Sequence, residues 1–231
     1  MSTRTRWYQE RQGEAYYRRA KKEGYRARSA YKIEQIHERF TVVRKGEAVA
    51  DLGAAPGGWS QMLVELVGPT GLVIGVDLQR LKPIPGAFFL QGDFMQRATH
   101  DRLAALLADK GRKHLDAVVS DMAPDMSGNY ELDQVRSIQL CEMALDFADK
   151  HLRPGGAFVC KVFEGADFPG FRKEVKRRFK RTHQYHPAAS RKASSEIYMV
   201  GKHFLGPGKE SDDEDDAPLT RAGTLDAASD E

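Results

Sequence analysis

The stretch Asp51-Leu-Gly-Ala-Ala-Pro-Gly-Gly-Trp-Ser60 lies between a short apolar run, 48–53, and a segment of helical character over about 59–67. Strand, glycine turn and helix in that order open a parallel sheet, and such sheets bind ligands where the turns leave the carboxyl ends of their strands. Gly53, Gly57 and Gly58 let the backbone approach a ligand that a Cβ would hold off. The pattern is not the Gly-x-Gly-x-x-Gly of dinucleotide enzymes: the second glycine is missing and Pro56 stiffens the loop. That spacing argues against a nicotinamide oxidoreductase.

Outward from the turn, strand-like and helix-like segments alternate. Strands are expected at 72–77, 87–91, 115–121 and 157–163, with helices at 30–40, 99–109, 133–152 and 168–180. Two β-like pieces, 182–186 and 196–204, close the domain. Repeated βα units imply an α/β, Rossmann-like domain: a mostly parallel sheet with helices on both faces. Asp77, 24 residues past Gly53, ends the second strand and is placed to accept hydrogen bonds from ribose hydroxyls; Asp93 follows the third strand and is placed to meet an adenine amino group. A nucleoside cofactor fits these positions. The plainer alternative is a glycine turn that only packs helix on strand, with acids that cap loops.

The net charge of +3 conceals an asymmetry. Residues 209–231 carry nine acids against Lys209 and Arg221, so residues 1–208 are +10. Two blocks, 1–45 and 172–192, each carry +8. Paired basic blocks on one domain point to an anionic partner, of which nucleic acid is the commonest. Residues 1–28 interleave cations with Trp7, Tyr8, Tyr16, Tyr17 and Tyr25 without a clear apolar face. Such a segment either lies along RNA or packs its rings on the domain. The expected organisation is a basic aromatic segment 1–28, a catalytic domain 29–205 and a disordered acidic tail 206–231. Two cysteines and seven histidines without ligand spacing lead us to expect no catalytic metal, and no serine has a credible histidine base. No apolar run approaches the length of a membrane span and the polar start is no signal peptide, so a cytoplasmic protein, monomeric and without a membrane partner, is expected.

Taken together, Asp-Leu-Gly-Ala-Ala-Pro-Gly-Gly-Trp-Ser-Gln61, Ser-Ala-Tyr-Lys32, Val-Ser-Asp121-Met-Ala-Pro, Cys-Lys161-Val-Phe-Glu-Gly and Ser-Ser-Glu196-Ile-Tyr resemble the FtsJ/RrmJ family of S-adenosylmethionine-dependent RNA 2′-O-ribose methyltransferases. The resemblance covers about residues 25–205, with the motifs in the family's order; the acidic tail departs from the short bacterial pattern. It implies a seven-stranded sheet with an antiparallel last strand, S-adenosylmethionine as cofactor, and ribosomal RNA, within the large subunit, as partner. The bacterial-type member it is most similar to methylates a uridine of 23S-type RNA. Transfer RNA, a messenger cap and a noncatalytic RNA-binding assembly role are the other readings.

Lys32, Asp121, Lys161 and Glu196 look like the family's Lys-Asp-Lys-Glu tetrad, and Gly57, Trp59, Asp77, Asp93 and Asp121 are the expected cofactor contacts. Asp121 ends a strand at the edge that carries the glycine turn. Lys161 stands in an apolar strand, Phe158-Val-Cys-Lys-Val-Phe163, an awkward place for an ammonium without a purpose. If the last strand runs antiparallel, Glu196 returns to the same edge, and Lys32 arrives from the preceding helix. Methylation of a hydroxyl by a sulfonium requires alignment and removal of one proton. Lys161 is the expected general base; a second role keeps it charged and has it steer the hydroxyl lone pair. Asp-Met-Ala-Pro124 lacks the aromatic platform that amino-methyltransferases present to a flipped base.

Overall fold

The computed structural model describes residues 14–190, residues 195–208 and the pair Thr220–Arg221. In chain order the elements are α1 (14–23), α2 (Ala30–Phe40), β1 (Ala48–Leu52), α3 (Gly58–Val67), β2 (Leu72–Asp77), β3 (Ala87–Gln91) and α4 (Arg97–Asp109). Then follow β4 (Leu115–Ser120), α5 (Tyr130–His151), β5 (Leu152–Phe163), α6 (Phe168–Lys176), β6 (Phe179–His186), β7 (Glu196–Phe204) and the two-residue β8 (Thr220–Arg221).

The sheet order is β3-β2-β1-β4-β5-β7-β6-β8. β3, β2, β1, β4 and β5 pair in parallel, while β7 runs antiparallel to both β5 and β6. All five residues of β1 are buried, as are the eight from Gly156 to the end of β5. Strands buried without alternation are the signature of a sheet covered on both faces. One face packs on α4, α5 and α6 through Leu103, Leu145, Phe147 and Phe171; the other packs on α2 and α3 through Ile33, Ile36, Trp59 and Leu63.

The α/β architecture and the antiparallel β7 agree with the sequence expectation, and several boundaries move. α5 begins at Tyr130, three residues early, because the Asn129 side chain accepts from the backbone N–H groups of Glu131 and Leu132 and caps the helix. β5 starts at Leu152, five residues ahead of the expected 157–163: Leu152 pairs with Leu115 across an irregularity in the ladder. β6 starts at Phe179, whose ring packs so closely on Gly201 that a Cβ there would approach it to 2.6 Å. β8, beside β6, is an eighth strand beyond the seven expected.

In the N-terminal segment, 14–23 form a helix whose Ala20 packs with Tyr31 and Ala189. The rings of Tyr16 and Tyr25 lie 5.5 and 5.6 Å from that of Tyr31, so these two aromatics pack on the domain; Tyr17 is exposed. Trp7 and Tyr8 lie outside the described residues, as does the acidic stretch 209–219.

Candidate active site

The carboxyl ends of the parallel strands form one rim, and the pairing brings β7 back to it: Glu196 lies opposite Phe163 and Tyr198 opposite Lys161. Opposed residues on antiparallel strands share a face, and Val159 and Tyr198 belong to the face that α2 and α3 cover. Lys161 therefore points toward α2, which carries Lys32.

The four charged residues meet. Lys161 Nζ donates to the Asp121 backbone carbonyl at 2.6 Å and lies 3.1 Å from Asp121 Oδ1. Lys32 Nζ donates to Glu196 Oε1 at 2.6 Å and stands 3.9 Å from Asp121 Oδ1. Their side chains are between 9% and 18% exposed, so these charges act on one another with little screening by water. Burial raises the pKa of Glu196, and the Lys32 charge with its hydrogen bond outweighs that, holding the carboxyl below its ordinary value.

Tyr198 was not singled out from the sequence. Its hydroxyl donates to Asp121 Oδ1 at 2.5 Å, and its ring lies 5.6 Å from Lys32 Nζ and 5.8 Å from the Trp59 ring. The signal was available: Glu196 and Tyr198 are two apart on a strand and share a face. Burial first, and then the Asp121 charge, push the Tyr198 hydroxyl well above its usual pKa, so it remains a donor.

Beside the tetrad, a small cleft is lined by Ser29, Asp51, the turn from Gly53 to Pro56, Gly58, Trp59 and Asp121. Its enclosed part is about 30 Å³, and the Met122 side chain lies over Gly53, where a Cβ would sit 2.2 Å from Met122 Cγ. Gly57 holds φ at 108°, a conformation for glycine. Trp59 Nε1 is buried at this cleft without a hydrogen-bond partner among the described residues. Asp51 is 1% exposed and accepts from Ser60 Oγ at 2.7 Å; burial pushes its pKa up to about 7, opposed by the Ser60 bond and reinforced by the charges of Asp121 and Asp77.

Further along the rim, Asp77 Oδ2 accepts from Ala55 N at 2.9 Å and Oδ1 from Gln79 N at 2.8 Å, so this acid fastens the glycine turn to the loop after β2. Asp93 Oδ1 accepts from Met95 N at 2.8 Å. Both acids thus fulfil the loop-capping reading, and both keep lone pairs for a further donor. Among the described residues no group of three or more His, Cys, Asp or Glu is arranged to hold a metal ion, and no helix is long and apolar enough to cross a membrane.

Residues 25–204 match the FtsJ-like methyltransferase family. The chain belongs to that family. The FtsJ-like chain is 50% identical over 194 residues to the ribosomal RNA large subunit methyltransferase E of Methanothrix thermoacetophila, covering 84% of itself and 74% of that protein. It is 48% identical over 196 residues to the enzyme of the same name from Acinetobacter baumannii, covering 85% and 89%. Among solved structures it resembles a Plasmodium falciparum protein described as a ribosomal RNA methyltransferase, with TM-score 0.71, 28% identity, and coverage of 79% of this chain and all of that one. An RNA methyltransferase is the enzyme class these similarities support, as the motifs implied.

Proposed function

We propose that this FtsJ-like protein transfers a methyl group from S-adenosylmethionine to a ribose 2′-hydroxyl of RNA, its target a uridine in the RNA of the large ribosomal subunit, in the cytoplasm. The observation that carries this reading is the convergence of Lys32, Asp121, Lys161 and Glu196, from four separate segments, beside the glycine turn. The names of the curated relatives support the choice of RNA.

The cleft suits the cofactor. The unpartnered Trp59 indole N–H offers a donor to a carboxylate, and the carboxyls of Asp51 and Asp121 face the same space and suit an ammonium. Gly53 and Gly58 line it without side chains of their own, and Asp77 and Asp93 lie on the open rim where a nucleoside would continue. Met122 lies against Gly53, and its unbranched thioether can change rotamer at little cost. Bound there, S-adenosylmethionine supplies a methyl carbon activated by its sulfonium.

The chain's own part is alignment and proton removal. Deprotonated, as a general base must be, the Lys161 amine would keep two N–H donors and one lone pair. Asp121 O and Oδ1 take both donors, which leaves the lone pair facing outward for the proton of a ribose hydroxyl. Lys161 Nζ would accept that proton as the hydroxyl oxygen takes the methyl group the cofactor would supply, and would then release it to water. Asp121 is held in turn by Tyr198 and by the Lys32 charge, while Glu196 fixes Lys32. Such a supported amine is oriented before substrate arrives.

The test is to incubate the protein with methyl-labelled S-adenosylmethionine and large ribosomal subunits or free ribosomal RNA, then hydrolyse with alkali. A 2′-O-methyl group blocks attack of the 2′ oxygen on the adjacent phosphate, so label is expected in an alkali-resistant dinucleotide. Label in single nucleotides, or no label in either RNA, would refute the proposal.

A further inference from the structure

We infer that Arg26 is a positioning residue for the cofactor cradle: its guanidinium clamps the outer side of the glycine turn to the loop after β2. The inference rests on the reading of this cradle as the S-adenosylmethionine site. Arg26 Nη1 donates to Pro56 O at 3.3 Å and to Lys82 O at 2.8 Å, and Nη2 donates to Pro83 O at 2.7 Å. The side chain lies so close to the turn that a Cβ on Gly57 would meet Nη1 at 3.0 Å.

The three carbonyls need this donor. No backbone N–H of a described residue donates to Pro56, Lys82 or Pro83; near the far end of the loop, Ala87 N donates to Ile84 O. Asp77 ties the same two segments from the inner side, through Ala55 N and Gln79 N. The turn is thus gripped twice, by a carboxylate within the rim and by a guanidinium outside it. Both grips end next to the expected ligands of a nucleoside: Asp77 on one segment, Gly57 and Trp59 on the other.

Arg26 is itself fixed. Its backbone N–H donates to Gln61 Oε1 at 2.7 Å, Gln61 Nε2 donates to Gly24 O at 3.0 Å, and the Tyr25 hydroxyl reaches both Glu65 oxygens at 2.8 Å. Residues 24–26 are thereby fastened to α3. By composition Arg26 counts among the cations of a basic RNA-facing segment. The geometry instead turns its fork inward onto backbone carbonyls, a task that suits the wide, rigid fork of a guanidinium better than the compact ammonium of a lysine.

The experiment compares wild type, Arg26→Ala and Arg26→Lys by calorimetric titration with S-adenosylhomocysteine and by steady-state methyl transfer. Both variants are expected to raise the cofactor KM and the S-adenosylhomocysteine Kd about tenfold, equivalent to roughly 1.4 kcal/mol. The kcat at saturating cofactor and the KM for RNA should stay at wild-type levels, and added guanidinium ion should restore the affinity of Arg26→Ala without affecting wild type. If Arg26→Ala does not fold, Arg26→Lys gives the same readout. Unchanged cofactor affinity would overturn the inference, as would a rise confined to the RNA KM, which marks a phosphate contact. So would a parallel change in kcat, both KM values and melting temperature, which marks a general structural role. A wild type that binds no S-adenosylhomocysteine would instead refute the cofactor reading itself.

Discussion

Asp51 illustrates how a residue can be conspicuous in sequence and still hide its role. It opens the glycine motif, yet β1 is buried throughout and the carboxyl has Ser60 as its hydroxyl partner. Its pKa is about 7 in the fold against 3.8 for an ordinary aspartate. Between those values the folded chain holds a proton that the unfolded chain has released, so this group's contribution to stability falls as pH rises through the window and levels off above about 7. In thermal melts, Asp51→Asn should therefore gain on wild type as pH is raised from 5 to 8. A gap that stays constant with pH would contradict the assignment. Tyr198 teaches a related lesson: the strand period placed it beside Glu196, but only the ladder between β5 and β7 shows its hydroxyl on Asp121.

The elements readable from sequence were those whose local signal and tertiary role agree. β1, β2 and β4 are short apolar runs closed by glycines or acids, and they are buried parallel strands. α1 was not readable: it is charged nearly all round, and its burial rests on Ala20 and the flanking tyrosines rather than on an apolar stripe. The contact between α4 and α5 was equally hidden. There His100 and His151 stack at 4.9 Å with Nδ1 and Nε2 2.6 Å apart. Burial, with His100 and nearby cations adding to it, lowers the His151 pKa to about 4 from 6.5. The unfolded chain binds a proton below 6.5 that the fold refuses, so stability is lost as pH falls from 6.5 toward 4. His151→Gln should be less stable than wild type at pH 7.5, by about 5 °C, and the gap should narrow by pH 5. A gap that widens on acidification would be inconsistent with a neutral pair.

At the scale of the whole molecule, the formal charge of the two basic blocks overstates what RNA meets. Arg178 is only 14% exposed and is bound to Asp149 and Glu174, and Arg177 also pairs with Glu174. On α1, Arg18 pairs with Glu14 and Arg19 with Glu23, whereas Lys21 and Lys22 are exposed. The sequence gives the sum of charges, and only the fold shows which cations are already engaged. We expect Lys21→Ala with Lys22→Ala to weaken RNA binding and to reduce the slope of log affinity against log salt by roughly 1.5 to 2. The cofactor affinity should not change. An unaltered salt slope would place the RNA on another face.

The central claim is that the Lys161 amine, braced by Asp121, removes the proton from the ribose hydroxyl. It is tested most directly by measuring, on one preparation of Lys161→Ala, both the single-turnover rate of methyl transfer to RNA and the affinity for S-adenosylhomocysteine. The account predicts a rate lowered by about 10²- to 10⁴-fold with affinity close to that of wild type. A rate within a few-fold of wild type would contradict it.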